Sequence, residues 1–74
     1  FSSLTVYPNP TENNITISME NYNGVFDLQL YDLTGKRLQR SNETTLSLED
    51  YAKGSYILKV AYGDRIEELK VIKD

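Results

Sequence analysis

The groups able to do chemistry in this chain are carboxylates, amines and phenols. Its 74 residues hold 11 Asp and Glu, 8 Lys and Arg and six tyrosines, with neither histidine nor cysteine. An active centre needs a poised nucleophile, acid, base or metal. Without His or Cys, the usual neutral-pH base, the thiolate nucleophile and the common zinc ligands are gone. The candidates reduce to Asp27, Asp32, Glu49, Asp50, Glu67 and Glu68. A pair of carboxylates facing each other across a cleft can act on a glycosidic bond. Here they fall at turns or at outward strand positions, where solvation accounts for them. We therefore expect no catalytic residue, no metal, no cofactor and no enzyme.

Other polar clusters have equally plain readings. "PTENN" and "SLED" offer oxygen ligands but lack the regular Asp/Asn spacing with glycine of a calcium loop. Asn14-Ile15-Thr16 and Asn42-Glu43-Thr44 match the glycosylation triplet, yet each is explained by a turn entering a strand. Lys36, Arg37 and Arg40 form a basic cluster on one hairpin, the kind of solvated edge that discourages aggregation. The tyrosines suit a sugar-stacking platform, but Tyr56 and Tyr62 share the phase of core residues, which favours packing.

Charge narrows the partners. A net of −3 gives little attraction for nucleic-acid phosphates. No apolar run approaches the roughly 18 residues of a membrane span. The chain opens at Phe1 with no basic leader, so we read it as a piece cut from a longer precursor.

The elements that hold these groups alternate with period two, the pattern of half-buried strands. Leu4 and Val6 mark a first strand, stopped by Pro8. Ile15, Ile17 and Met19 mark a second. "ENYNG" is a turn, with Asn23-Gly24 tolerating positive φ. Phe26, Leu28 and Leu30 point inward on a third strand, opposite Asp27, Gln29 and Tyr31. "YDLTGKRL" is a hairpin: Asp32 bonds its own backbone ahead, and Gly35 takes the left-handed position of a type I turn plus bulge. Leu38 anchors the return strand, Leu46 and Leu48 a fifth. "GSYILKVAY" turns Tyr56, Leu58, Val60 and Tyr62 inward, and Gly63-Asp64 is a two-residue turn into "RIEELKVIK".

Ile66 and Leu69 have opposite parity, so a β-bulge near Glu67-Glu68 is expected, unless Ile66 and Ile72 cover the outer face. Lys73 follows the inward phase, but at a fraying end where its ammonium reaches water. Near the start, Pro8-Asn9-Pro10 cannot sit in a ladder. It is either a passive corner between strands or a feature another protein reads. The whole is expected to be all-β: a single immunoglobulin-like β-sandwich of about seven short, mainly antiparallel strands. A small closed barrel is the rival, and the tryptophan–disulfide core of antibody domains is missing.

The ordered motifs carry a resemblance. "VYPNPTENNITI", "DLQLYDLTGKRL", "LSLEDYAKGSYILKV" and the lysine-bearing "ELKVIKD" together resemble the C-terminal sorting domain of type IX secretion cargo, over residues 4 to 73. Singly these pieces are common; in this order and spacing they are specific. Asp74 departs from the pattern by extending past the terminal lysine.

The resemblance implies an immunoglobulin-like export signal, removed from a cargo of Bacteroidetes-type bacteria and spanning residues 1–74. The precursor would reach the periplasm through an N-terminal signal and be recognised by the type IX translocation machinery. A sortase-like surface peptidase would then cut the domain away, leaving the cargo on the outer-membrane surface or secreted. The cargo lies N-terminal in cis, with no nucleic acid and no membrane insertion involved. The motif residues carried over as candidates for recognition are Pro8, Asn9, Pro10, Asp32, Gly35, Lys36, Gly54, Tyr56, Lys70 and Lys73. An adhesive or carbohydrate-binding module appended to an extracellular enzyme is the alternative, and a passive spacer a third reading.

Overall fold

The structure, a computed structural model, describes residues 4–19 and 24–74. The turn expected over residues 20–24 lies outside the described residues apart from Gly24. Seven strands are present: β1 (Thr5–Tyr7), β2 (Asn14–Ser18), β3 (Phe26–Tyr31), β4 (Arg37–Ser41), β5 (Thr45–Ser47), β6 (Gly54–Tyr62) and β7 (Arg65–Lys73). They form two antiparallel sheets, in the orders β1-β2-β5 and β4-β3-β6-β7. The chain passes between sheets after β2, β4 and β5. This is a small β-sandwich with immunoglobulin-like strand order, the fourth strand lying on the larger sheet. The closed barrel is thereby set aside.

Period-two alternation places the core where it was expected. Ile15 and Ile17 from β2, with Leu46 and Leu48, face Leu28, Leu30, Leu58, Val60 and Val71 from the other sheet. Each buried aliphatic side chain contributes about 1.5–3 kcal/mol relative to exposure. Leu4, Val6, Met19, Phe26, Leu38 and Leu69 pack around this centre.

The bulge is not where the sequence placed it. β7 pairs with β6 in unbroken register from Gly54↔Lys73 to Tyr62↔Arg65, so Glu67 and Glu68 carry no extra residue. The inward position goes to Glu67 instead, whose Oε2 accepts the Tyr62 hydroxyl at 2.5 Å. Ile66 stays on the outer face, 66% exposed, as does Ile72. The irregularity sits between β3 and β4: Leu30 pairs with Gln39 and Tyr31 with Arg37, leaving Leu38 as the extra residue.

The β3–β4 turn is built on one side chain. Asp32 Oδ1 accepts from the Thr34 hydroxyl (2.6 Å), the Thr34 N–H (2.9 Å) and the Lys36 N–H (3.0 Å). These bonds, the Thr34 hydroxyl foremost, hold the Asp32 carboxyl below its ordinary value. The Gly35 N–H closes the turn on the Asp32 carbonyl, with Gly35 at φ +92°. Nothing crowds the place of a Cβ there, so only backbone conformation opposes a side chain. Gly35→Val should therefore cost about 1–2 kcal/mol, and Gly35→Asn clearly less, in denaturant melts. Equal stability of the two variants contradicts this turn geometry.

Candidate recognition surface

The Pro-Asn-Pro corner bridges the two sheets. Both prolyl bonds, Tyr7–Pro8 and Asn9–Pro10, are cis, and both rings are exposed. Between them the Asn9 carboxamide lies along the free edge of β7. Its Nδ2 donates to the Lys70 carbonyl (2.9 Å), and its Oδ1 accepts from the Ile72 N–H (3.0 Å). A side-chain amide thus supplies the donor and acceptor that a neighbouring strand would present. Thr11 takes over one step along: its N–H donates to the Ile72 carbonyl, and its carbonyl accepts from the Asp74 N–H, both at 2.8 Å. Thr11 is only 2% exposed, and its hydroxyl is itself bonded, donating to the Asn14 carbonyl and accepting from the Asn13 N–H. The corner is structural, and its asparagine does the bonding while the prolines face water.

Those contacts change the reading of Lys73. Its end of β7 is held rather than frayed, because Thr11 bonds the residues on either side of it. Lys73 is 9% exposed, and its Nζ donates to the carbonyls of Leu48 (2.5 Å), Glu49 (3.1 Å) and Tyr51 (2.6 Å). An ammonium has three N–H donors, and this turn satisfies all three without a carboxylate. The expected solvated lysine is a buried bolt across the sandwich. Lys70, one repeat earlier on the outward phase, is exposed as expected.

Tyr56 is a second pin. It is 8% exposed, its ring lies 5.9 Å from that of Tyr51, and its hydroxyl donates to the Ala52 carbonyl. A tyrosine entering this strand and bonding back a few residues upstream is the tyrosine corner of immunoglobulin-like sandwiches. Gly54 opens the strand at φ +149°, a conformation that L side chains rarely adopt. Lys73, Tyr51 and Tyr56 thus converge on one end of the molecule.

The outer face of the larger sheet carries the remaining candidates. Asp27 accepts from Arg40 Nε at 2.9 Å and Nη2 at 3.3 Å, and this pairing holds its carboxyl below the usual range. Arg40 is accordingly not part of a free basic cluster with Lys36 and Arg37, which are exposed. Glu68 lies 3.7 Å from Lys59, whose Nζ also stands 5.2 Å from the centre of the Tyr31 ring. A shallow groove of about 300 Å³ runs here between Tyr31, Asp32, Leu33, Ile57, Lys59 and Glu68. Of the carboxylates singled out above, Asp27, Asp32, Glu67 and Glu68 each have a structural partner. Glu49 and Asp50 are exposed in the turn whose main chain holds Lys73. None is arranged against another for acid–base work.

The sequence that builds this sandwich and its pins matches one known group. Residues 5–74 match the family model of the secretion system C-terminal sorting domain. The chain belongs to this family. The sorting domain serves as a type IX secretion signal on a cargo protein, for export across the outer membrane to the cell surface or medium. It is a signal rather than a catalytic unit. It is also 31% identical over 77 residues to an ulvan lyase of Nonlabens ulvanivorans, covering 96% of this chain but 14% of that protein's length. The sorting domain therefore spans a small fraction of the relative it matches.

The motif residues carried over from the sequence now have positions. Asn9, Asp32, Tyr56 and Lys73 are engaged in holding the sorting domain together. Pro8, Pro10, Lys36 and Lys70 are exposed. Thr11 was missed, and its only local hint was a hydroxyl residue following the corner.

Proposed function

We propose that this domain is the tail of a larger precursor and is read by the type IX translocation machinery as a folded object. The supporting observation is where the motif side chains go. Asn9, Asp32, Tyr56 and Lys73 spend their polar groups on the domain's own backbone. A receptor for the unfolded segment would need those groups free. The precursor reaches the periplasm through its own N-terminal signal, and the folded tail then presents Pro8, Pro10, Lys36 and Lys70 to the machinery. A sortase-like surface peptidase removes the tail, and the cargo stays on the surface or is released.

Loss of the terminal strand tests this. Deleting residues 69–74 from a reporter fusion removes Val71, Lys73 and the edge that Asn9 and Thr11 bond. The truncated fusion should remain in the periplasm, while Lys70→Gln keeps the fold within about 0.5 kcal/mol, as befits an exposed position. Normal secretion of the truncated fusion would sink the sorting reading. If that truncation instead weakened attachment to a surface or polysaccharide, a binding module would be the better account.

A further inference from the structure

The free edge of β7 is covered along half its length. The Ile72 N–H and C=O are taken by Asn9 and Thr11, so they point away from β6. Because the β6–β7 register runs without a shift, parity sends the main-chain groups of Lys70, Glu68 and Ile66 the same way. Asn9 takes the Lys70 carbonyl. Among the described residues nothing bonds the Lys70 N–H or the outward N–H and C=O of Glu68 and Ile66. Natural sheets blunt such an edge with charged side chains, proline, a bulge or a cover. Residues 66–70, roughly 17 Å long, have no proline or bulge, and their cover is the Asn9 contact to the Lys70 carbonyl. Their guard is charge, with Glu68 and Lys70 outward and Glu67 inward, beside an isoleucine that is 66% exposed.

Building on the reading of the domain as a ligand of the export machinery, we propose that the edge at Ile66–Lys70 docks an extended segment of a partner protein as an added antiparallel strand. The side chains specify that segment: an acidic residue opposite Lys70, a basic one opposite Glu68 and an apolar one opposite Ile66, at alternate positions. Glu68 can take the basic partner, since its side chain is 62% exposed and its Lys59 contact is long, at 3.7 Å. Antiparallel addition continues the pattern of the whole sheet, and opposite charges directly across a ladder stabilise the pairing.

A second copy of this chain fits poorly. Symmetric pairing centred on Glu68 sets two Glu68 carboxylates against each other. Centring it on Leu69 pairs Glu68 with Lys70 but drives the other copy's Ile66 against Ile72, where the Asn9–Thr11 corner already lies. Centring it on Glu67 places each Ile66 opposite a carboxylate.

A reporter fused to the whole 74-residue segment tests the proposal, with protease resistance of the tail as the measure of folding. Glu68→Pro removes one outward N–H without touching the ladder to β6, and Glu68→Lys reverses the charge. Each should lower export at least ten-fold with the tail still resistant, whereas Asp64→Lys, an exposed reversal in the adjoining turn, should leave export unchanged. If the proline variant is digested, Glu68→Lys and Ile66→Asp decide, since both positions are exposed. Wild-type export by the folded variants overturns the docking edge while the sorting reading stands, provided a reporter without the segment is retained. Export of that bare reporter overturns both. Self-association of the segment that Glu68→Pro abolishes would assign the edge to a second copy and overturn the proposed occupant.

Discussion

Tyr56→Ala is expected to destabilise the domain by about 3–5 kcal/mol, on the scale of the entire stability of a domain this small. Two losses combine. The aromatic ring leaves a void beside Tyr51 at the end of the core, and the Ala52 carbonyl loses its donor. Tyr56→Phe separates them, keeping the ring and costing only about 0.5–1.5 kcal/mol for the hydrogen bond. Denaturant melts measure both. A change below about 1 kcal/mol for the alanine variant would mean that Tyr56 is not an anchor, and a role in recognition would then fit it better.

Lys73→Met should cost about 2–4 kcal/mol although it keeps the length and apolar stem of the side chain. The ammonium donates to three carbonyls; its removal leaves those of Glu49 and Tyr51 without a donor and that of Leu48 with the Tyr51 N–H alone. The same substitution at Lys70, exposed on the other face, should change stability by less than about 0.5 kcal/mol. The contrast between two lysines three residues apart is the informative quantity. Equal and small effects would place the Lys73 ammonium in water and return the terminal strand to a fraying end.

The strands and their inward faces were legible because half-buried strands alternate, and the alternation of Leu28, Leu30, Leu58 and Val60 leaves no ambiguity. The Asp32–Gly35 turn was legible for a different reason: its hydrogen bonds close within four residues, so local chemistry determines it. Lys73 was not. Its phase pointed inward, but a lysine near the end of a segment is normally solvated. The carbonyls that receive it belong to a turn 22 to 25 residues away.

Asn9 was recognised as part of a rigid corner, yet its strand-like bonding depends on residues 61 and 63 positions further along. The misplaced bulge has a related origin. Parity among apolar residues suggested that Ile66 must turn inward, whereas the inward place is filled by Glu67, made tolerable by Tyr62 across the hairpin. The bulge that exists, at Leu38, lies in a stretch with one apolar residue and leaves no periodic trace. For Lys73 and Asn9 the missing information was a polar partner distant in sequence.

The most direct test of the account is a transplant. A reporter that otherwise stops in the periplasm is given residues 1–74 at its C-terminus and expressed in a Bacteroidetes-type host, with the type IX machinery intact or disrupted. Its location is read by surface protease accessibility and by the amount in the medium. The predicted result is reporter at the surface or in the medium only with the machinery intact, and reporter held in the periplasm when Tyr56→Ala or Lys73→Met unfolds the tail. Retention of the reporter carrying the folded, unaltered segment in the intact host, or its export when the machinery is disrupted, would contradict the account.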